Sequence, residues 1–549
     1  MPFKAQTTVG LIARLASESP ARVAFSCGAS QVTCSQLWEQ ISELARAMTR
    51  VGVRRGERVA ICAGNSIEWS LWEYASQAIA AVPVGIGTLC ADDHRNDVLS
   101  HCDATVLVVQ AAASLSTIAP ERLRRCRLIC VIDPVDSDAR PALPWIAHAE
   151  LVRGGDRTAF DLGCSPGDPA TIIYTSGSTG KPKGVMHTQA RTMAAVDAIV
   201  EFFPELEGGR IALGWMPMEH LFQRNLNLVS LAFGLETRVL RSAANLIDVI
   251  RDVRPTYMAG VPFVYEQLLH AIEASPESFA EWQREVRLMI IGSAPTLPTT
   301  LERFMELGFP IRQAYSTSEC IVPIAANTLP ANRVGSVGRP HASYALRISP
   351  EGEIRVRGVG VFNGYVGEAE GATDLFDEDG YFRTGDLGHL DSDGYLFVSG
   401  RAEDFFKSST GRRISPLEVE NAYKRSDLIE HIVVVGHARK HLVAIVQLQA
   451  QLATALAAKL GLASESADRW HEDASMKAAV LEEMRKHEAQ LEPYKRVRDI
   501  VLISRPLSVE GGELTPNLKL RRQVIIQRYL PPLNPLHEGD PEADDKHAA

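Results

Sequence analysis

Residues 174–185 have the sequence Tyr174-Thr175-Ser176-Gly177-Ser178-Thr179-Gly180-Lys181-Pro182-Lys183-Gly184-Val185, directly after the apolar run Thr171-Ile172-Ile173. Three glycines, four Ser/Thr hydroxyls and two lysines stand within these residues. Glycine lets backbone N–H groups turn toward an anion, hydroxyls donate hydrogen bonds to phosphate oxygens, and lysine supplies positive charge. The pattern predicts a strand that leads into a polyphosphate-binding loop, and we call residues 174–185 the phosphate segment.

Two common phosphate-binding patterns do not fit the phosphate segment. The Walker pattern places Gly-Lys-Ser/Thr after four free positions, and the dinucleotide pattern G-x-G-x-x-G opens a helix; neither spacing occurs here. A flexible Gly/Ser linker is the remaining alternative. Two lysines beside Pro182 and a new apolar run from Val185 argue against a linker.

Composition limits the class of protein. The 549 residues exceed what one hydrophobic core usually supports, and 46% of them are hydrophobic, so two or more globular domains are expected. The balance of 57 basic against 67 acidic residues gives a net charge of −10, which argues against nucleic acid as the main partner. The nine cysteines are odd in number and have no paired ligand spacing, so we expect no disulfide framework and no zinc site.

Apolar runs are too short for a membrane helix. The longest, around Gln77 to Cys90, contains Pro83 and falls short of the ~20 residues that a span needs. The N-terminal residues have no secretory apolar core. We therefore expect a cytoplasmic protein without a transmembrane segment, in which at most the surface contacts a membrane.

Short β-rich runs alternate with segments of helical periodicity through most of the chain, which indicates an α/β fold with parallel, buried strands. After about residue 345 the pattern changes to hairpins, which predicts a β subdomain, and a small α+β domain follows. The predicted organisation is a large N-terminal domain with layered α/β subdomains and a β subdomain, then a small mobile C-terminal domain. Its boundaries are 1–400, a hinge at 401–404, the C-terminal domain at 405–530, and a disordered tail at 531–549.

Six further motifs follow the phosphate segment in order. They are Gly292-Ser293-Ala294-Pro295, Tyr315-Ser316-Thr317-Ser318-Glu319, Gly335-Ser336-Val337-Gly338, Tyr381-Phe382-Arg383-Thr384-Gly385-Asp386, Gly400-Arg401 and Leu514-Thr515-Pro516-Asn517-Leu518-Lys519. Each is weak alone, but the ordered set is specific. From about residue 10 to residue 525 the chain resembles the adenylate-forming superfamily of acyl-CoA synthetases, adenylation domains and luciferases.

The resemblance implies an ATP and Mg²⁺-dependent enzyme that joins a carboxylic acid to AMP, releases pyrophosphate and transfers the acyl group to CoA. Glu319 stands where the superfamily has its magnesium ligand, and Asp386 stands where a carboxylate accepts hydrogen bonds from the ribose hydroxyls. The other implied nucleotide-binding residues are Thr175, Ser176, Gly177, Ser178, Thr179 and Lys183 at the β- and γ-phosphates, with Gly292, Ser293, Ala294, Tyr315, Ser316 and Ser318 around the adenine and AMP.

Three residues near the domain junction and in the C-terminal domain match parts of the superfamily that move. Arg401 would contact ribose or phosphate through its guanidinium fork. Glu403 falls at the hinge position, where a solvated residue absorbs the backbone change when the small domain rotates. Lys519 matches the catalytic lysine that bridges the acid's carboxylate and the α-phosphate.

The segment Trp215–Arg224 and the segment Lys407–Pro416 resemble long-chain fatty acyl-CoA synthetases, and the first also resembles carboxylic acid reductases. By this resemblance His220 would flank the carboxylate of the acid. Because both segments resemble long-chain synthetases, a medium- to long-chain fatty acid is the leading substrate. This chain departs from the usual pattern at Ala314, Ser316, Ser318 and Gln223. Where the superfamily usually has glycine, the Ser316 side chain would narrow the tunnel that holds the acid or contact a polar group on the acid. An oxidised, branched or aromatic acid therefore stays as an alternative substrate.

Three functions remain as alternatives on the sequence. The first is an acid–CoA ligase, the second is an enzyme that loads an acyl carrier protein, and the third is a non-catalytic nucleotide-binding relative. The presence of Glu319, Asp386 and Lys519 argues against the third. We expect free CoA rather than a carrier protein as acceptor, because no carrier or reductase domain follows Lys519 in the chain.

Overall fold

The computed structural model describes residues 5–133, 144–153, 163–176, 182–329, 331–368, 375–407, 412–437, 441–462, 467–515 and 519–530. Two compact units make up the chain, Met1–Glu403 and Asp404–Ala549. The division falls inside the segment predicted as a hinge, although the hinge movement stays a prediction. The predicted tail at 531–549 lies outside the described residues.

Helices of the first unit connect most of its strands. They are α1 (Thr8–Glu18), α2 (Cys34–Arg50), α3 (Ile67–Ala78), α4 (Asp92–Cys102), α5 (Pro120–Arg125), α6 (His148–Val152), α7 (Gln189–Phe202), α8 (Leu221–Phe233), α9 (Leu246–Val253), α10 (Pro262–Ala274), α11 (Pro276–Glu285) and α12 (Pro298–Glu306). Local signals explain their ends. A capping box between Thr33 and Gln36 begins α2, and Gly234 ends α8 at φ +80°, a backbone angle that favours glycine.

Strands of the first unit form three sheets within the described residues. They are β1 (Val23–Cys27), β2 (Ser30–Thr33), β3 (Arg58–Cys62), β4 (Val82–Gly85), β5 (Val106–Val109), β6 (Leu128–Val131), β7 (Ile146–Ala147), β8 (Pro169–Ser176), β9 (Pro182–Thr188), β10 (Ile211–Gly214), β11 (Glu236–Val239), β12 (Tyr257–Gly260), β13 (Leu288–Ile291), β14 (Ile311–Tyr315), β15 (Ala325–Ala326), β16 (Arg339–Pro340), β17 (Tyr344–Ile348), β18 (Glu353–Gly358), β19 (Phe382–Leu390) and β20 (Leu396–Arg401).

Two of these sheets are mainly parallel. One has the order β7-β6-β5-β3-β4-β8-β9, and the other has the order β16-β15-β14-β13-β12-β10-β11-β1-β2. Their central strands are buried throughout, as in β5 and β13, because helices cover both faces of a parallel sheet. The predicted α/β fold with parallel, buried strands is confirmed.

The third sheet is the β subdomain that the hairpin-like sequence predicts after residue 345. It has the antiparallel order β17-β18-β19-β20. The turn at 391–394 joins β19 to β20, and Gly394 has φ +80° there. Asp391 accepts hydrogen bonds from the backbone of Asp393 and Tyr395, which explains the aspartate at the first position of the turn.

The second unit is a small α+β domain. Its elements are β21 (Phe406–Lys407), β22 (Arg413–Ile414), α13 (Pro416–Tyr423), β23 (Ile429–Val435), β24 (Leu442–Leu448), α14 (Ala450–Lys459), α15 (Ala467–Trp470), α16 (Ala474–Arg485), β25 (Val497–Leu502) and α17 (Arg522–Tyr529). The strands β23, β24 and β25 form one sheet, and helices α13 and α16 pack on strands of it. The predicted small α+β domain at the C-terminal end is therefore confirmed.

A buried ion pair joins α3 and α8 in the first unit. Helix α3 contacts β1 of one parallel sheet and β3 and β4 of the other, so it lies between the two sheets. The Nε atom of Arg224 donates to Glu73 Oε1 at 2.6 Å, and both side chains are at most 4% exposed. Burial raises the pKa of Glu73, whereas the positive charge of Arg224 lowers it.

Within the described residues, no helix combines the length and apolar character that crossing a membrane requires.

Candidate active site

The candidate site begins where parallel strands of the larger sheet end. Strands β10, β12, β13 and β14 are neighbours, so their carboxyl ends lie along one edge. Ligands of open α/β sheets bind at this edge because loops there are free to vary around a rigid scaffold. His220, Ser293 and Tyr315 all follow or end these strands.

The predicted adenine-site residues Gly292 and Ser293 directly follow β13, and Gly292 packs against Ala314 of the neighbouring strand β14. A side chain on Gly292 would place its Cβ 3.0 Å from the carbonyl oxygen of Ala314, which explains the glycine. Ser293 follows at φ +67°, a strained backbone angle for a residue other than glycine. Such strain persists where the surrounding structure holds it, often at a ligand site.

Tyr315, Asp386 and Arg401 form one hydrogen-bonded group. The Tyr315 hydroxyl donates to Asp386 Oδ2 at 2.5 Å, and Arg401 Nε lies 2.9 Å from Asp386 Oδ1. Burial and the charge of Asp386 both raise the pKa of Tyr315. Arg401 is 48% exposed whereas Asp386 is 9% exposed, so the guanidinium covers a nearly buried carboxylate.

Strand pairing explains the contact between Asp386 and Arg401. They are cross-strand partners on β19 and β20, so their side chains meet without a long loop. Gly385 has φ +71°, and the Thr384 hydroxyl accepts a hydrogen bond from the Asp386 N–H. This local turn directs the Asp386 carboxylate to the end of β14.

The described residues of the phosphate segment, 174–176 and 182–185, lie on the paired antiparallel strands β8 and β9. Thr175 lies opposite Lys183, and Ser176 lies opposite Pro182. Gly184 takes no side chain because its Cβ would lie 3.2 Å from the ring of Tyr174. The predicted phosphate ligands Gly177, Ser178 and Thr179 lie outside the described residues.

Tyr365 connects the phosphate segment to Glu319, although it stands in none of the sequence motifs. The Lys183 Nζ atom lies 4.8 Å from the centroid of its ring, and its hydroxyl donates to Glu319 Oε1 at 2.8 Å. A backbone bridge between Val185 and Tyr365 fixes this arrangement. The sequence alone does not distinguish this tyrosine from others in loops, because only the backbone bridge to Val185 brings it beside Lys183.

The carboxylate of Glu319 is suited to a hard cation. One of its oxygens accepts the Tyr365 hydrogen bond, and a carboxylate offers about four lone-pair positions in all, so acceptor capacity remains. The described residues contain no group of three or more His, Cys, Asp or Glu side chains that would hold a metal alone. A magnesium ion here would therefore take further ligands from phosphate oxygens and water, as Mg²⁺ prefers.

Three side chains hold the loop around Glu319. His187 Nε2 lies 2.7 Å from the carbonyl oxygen of Ser318, Asn225 donates to Ile321, and the Tyr344 hydroxyl donates to Val322. Burial lowers the pKa of His187 to about 4, so this imidazole is neutral at pH 7 and Nε2 donates its proton to the carbonyl.

Ser316 has a local partner in the same loop. Its hydroxyl donates to the carbonyl oxygen of Cys320 at 2.5 Å, and the residue is exposed. The donor that the sequence analysis offered to a polar acid is therefore engaged by the backbone. His220, the other predicted acid-site residue, is the N-cap of α8, which begins at the next residue.

Lys519 belongs to the second unit. Its N–H donates to the Thr515 hydroxyl, its carbonyl oxygen accepts from the Thr515 N–H, and its side chain is exposed. Glu513, which precedes Lys519 by six residues, accepts hydrogen bonds from Arg505, Arg528 and Tyr529. Although burial opposes it, hydrogen bonds from Arg528 and Arg505 lower the pKa of this carboxyl to about 2.

Comparisons with known proteins show the family to which the chain belongs. The sequence model of the AMP-binding enzyme family matches residues 12–366, and that of the AMP-binding enzyme C-terminal domain matches residues 403–534. The chain belongs to the AMP-binding enzyme family. It is an AMP-forming ligase of the adenylate-forming superfamily, near the long-chain acyl-CoA synthetases.

Similar AMP-binding enzymes cover nearly the whole chain. The long-chain-fatty-acid–CoA ligase FadD15 of Mycobacterium bovis is 25% identical over 93% of this chain and 93% of its own. The chloroplastic long-chain-fatty-acid–[acyl-carrier-protein] ligase AEE15 of Arabidopsis thaliana is 24% identical over 92% of this chain and 83% of its own. The adenylation domain of a carboxylate reductase from Mycobacterium chelonae has the same fold, with a TM-score of 0.79, 21% identity, and coverage of 96% of this chain and 90% of that one.

Proposed function

We propose that this AMP-binding enzyme is an ATP-dependent acid–CoA ligase for medium- to long-chain fatty acids. It activates the acid as an acyl-adenylate with release of pyrophosphate, and then transfers the acyl group to the thiol of CoA. The observation that carries the proposal is the connection of Lys183 and Glu319 through Tyr365, beside the group of Tyr315, Asp386 and Arg401. The ammonium of Lys183 and the carboxylate of Glu319 suit a polyphosphate with its magnesium ion. The Asp386 carboxylate suits the hydroxyls of a ribose. The fatty acid is proposed because the similar enzyme FadD15 is a long-chain-fatty-acid–CoA ligase.

The first half-reaction joins two anions, so its barrier comes mainly from their mutual repulsion and from positioning. Lys183 and the hydroxyls of the phosphate segment, Thr175 among them, neutralise and hold the departing phosphates. Asp386 accepts the hydrogen bonds of the ribose hydroxyls, and Arg401 donates beside it. His220 orients the carboxylate of the acid, and Lys519 stabilises the negative charge that develops at the α-phosphate.

Glu319 is the residue that would hold the magnesium ion. The ion would neutralise charge on the phosphate oxygens during pyrophosphate departure. Tyr365 orients the carboxylate through its hydroxyl and supports Lys183 through its ring, so it acts through both residues.

The experiment that tests the proposal is a pyrophosphate-release screen with purified protein, ATP and magnesium. Fatty acids of increasing length and aryl acids are offered, each with CoA or with a phosphopantetheinylated acyl carrier protein. We expect release with medium- to long-chain acids and formation of the acyl-CoA. Asp386→Ala, which removes the proposed ribose ligand, serves as the inactive control, and Asp379→Ala on the surface serves as its matched active control.

Each outcome of this screen has a definite meaning. Release with fatty acids and transfer to CoA supports the proposal. Transfer only to the carrier protein would show that the acceptor is the carrier protein and not CoA. Preference for aryl acids would show that the substrates are aryl acids and not fatty acids. Failure of every acid to release pyrophosphate overturns the enzymatic function.

Tyr365→Phe is expected to raise the Mg²⁺ concentration needed for half-maximal ATP–pyrophosphate exchange by about 10-fold or more, the usual effect of removing an outer partner of a metal ligand. The substitution removes the hydroxyl that orients Glu319 but keeps the ring near Lys183. Tyr365→Leu removes both contacts and is expected to raise the KM for ATP as well. The measurement is exchange rate against magnesium at fixed ATP.

The matched control for this prediction is Tyr381→Phe, because the Tyr381 ring lies near the guanidinium groups of Arg347 and Arg357, at 4.2 and 4.8 Å. We expect its magnesium dependence to equal that of the unsubstituted protein. An unchanged magnesium dependence in Tyr365→Phe would contradict the role assigned to the hydroxyl.

A further inference from the structure

Glu219 lies where the ends of the two parallel sheets approach each other. It follows β10 of the larger sheet and directly precedes His220. Its backbone packs on the end of β4 in the smaller sheet, since a Cβ on Gly85 would lie 2.7 Å from Glu219 Cα. A Cβ on Gly87 would lie 2.8 Å from Glu219 Oε1. Two glycines thus provide the space that the Glu219 side chain occupies.

The same edge of the smaller sheet carries the phosphate segment. Strand β4 is the parallel neighbour of β8, with Val84 opposite Ile172. Gly85, the last residue of β4, follows this pair, and on β8 the chain continues from Ile172 to Thr175, which lies opposite Lys183 on β9. Glu219 therefore lies at the end of β4, whose neighbour β8 leads to Thr175, and it directly precedes His220, the N-cap of α8.

The environment of Glu219 is unusual for a carboxylate. Its side chain is largely but not fully covered, and burial raises its pKa from 4.5 to about 7. In the proposed first half-reaction, an ionised Glu219 carboxylate near the phosphates would repel them and would not help to neutralise their charge. This residue is therefore better suited to the step that follows pyrophosphate departure.

We propose that Glu219 is the proton acceptor for the attacking thiol in the second half-reaction, an inference that rests on the proposed function. The thiol sulfur forms a bond to the acyl carbon of the acyl-adenylate. The bond between that carbon and the phosphate oxygen breaks, and AMP leaves with the electron pair. The thiol proton passes to the Glu219 carboxylate and then to water, so no other reactant is needed.

Other titratable groups around Glu219 are less suited to this role. Burial raises the pKa of Cys62 on β3 to about 11, and the charge of Glu219 adds to the rise. Burial also raises the pKa of Cys90 after β4. On α4, Arg95 stays protonated beside these thiols, and its partner Asp92 is 61% exposed. His220 is the remaining alternative, and the test separates it from Glu219.

The test follows thioester formation from supplied acyl-adenylate and CoA across pH 5.5–9, together with ATP–pyrophosphate exchange by the same protein. The acid is the one most active in the screen. Below pH 7 the protonated Glu219 cannot accept a proton, so we expect the unsubstituted rate to rise through about pH 7 and then level off. Glu219→Gln is expected to slow thioester formation about 10²-fold at pH 7.5. Its rate then rises further with pH, toward the ordinary thiol pKa of about 8.5.

A second variant moves the carboxylate without removing it. Gly87→Ala places a Cβ against Glu219 Oε1, and we expect it to slow thioester formation selectively as well. Glu121→Gln, an exposed glutamate on α5, is the matched control. The inference is overturned if Glu219→Gln keeps the unsubstituted pH profile, which would assign the proton transfer to His220 or to water, or if exchange falls as much as thioester formation. Absence of exchange in the unsubstituted protein instead overturns the proposed function.

Discussion

Lys519→Ala is expected to lower the rate of ATP–pyrophosphate exchange by at least about 10²–10³-fold, the usual cost of removing one preorganised donor from a developing charge. Thioester formation from supplied acyl-adenylate and CoA is expected to survive. The difference arises because the proposed contact of Lys519 with the carboxylate and the α-phosphate is needed only while the acyl-adenylate forms. The two half-reactions are measured separately on the same preparation.

Two controls accompany this prediction. Lys459→Ala removes another exposed lysine of the second unit and is expected to leave both half-reactions unchanged. Lys519→Arg keeps the positive charge but replaces a compact ammonium with a planar fork, so partial exchange activity is expected. Equal loss of both half-reactions in Lys519→Ala would contradict a role confined to adenylation.

Glu73→Ala is expected to destabilise the first unit by about 3–5 kcal/mol, because it leaves the buried guanidinium of Arg224 without its carboxylate. The pair lies between helices α3 and α8, and α3 touches strands of both parallel sheets. Its loss therefore weakens the contact between the layers that hold the candidate site. Thermal unfolding followed by circular dichroism measures the effect as a lower unfolding temperature.

The decisive comparison is the double variant Glu73→Leu with Arg224→Met. Removing both charges and filling the space with apolar groups is often neutral or stabilising, so most of the lost stability is expected to return. Glu121→Ala, which breaks an exposed pair with Arg124, is expected to cost less than about 1 kcal/mol. A Glu73→Ala variant as stable as Glu121→Ala would show that the buried pair contributes no net stability.

Much of the fold followed from local sequence patterns. The predicted alternation of short β-rich runs and helical segments is present as buried strands such as β13, Leu288–Ile291, and helices such as α2, Cys34–Arg50. These predictions succeed because strand and helix periodicity are properties of neighbouring residues. Local periodicity does not predict the order of strands in a sheet, because β1 pairs with β11, which lies more than 200 residues later in the chain.

The candidate site divides in the same way. The motifs identify Tyr315, Asp386 and Arg401 as candidates, and the structure brings them into one group, while their roles stay predictions. Tyr365 stands in none of the sequence motifs, and Glu219 lies within the segment Trp215–Arg224 without a role that the resemblance implies. Their significance comes from contacts with Glu319 and Gly87.

By itself the sequence determined that this chain is an α/β protein, it predicted a phosphate-binding segment, and it determined which residue types are available for nucleotide chemistry. Those properties depend on neighbours in the chain, where glycine, hydroxyl and lysine groups act within one loop. Only the tertiary structure decided that Tyr365 joins Lys183 to Glu319, that Ser316 donates to its own loop, and that Glu219 occupies the space left by two glycines. Each of those contacts depends on the packing of strands distant in sequence, and burial between the sheets then changes the pKa of the groups enclosed there.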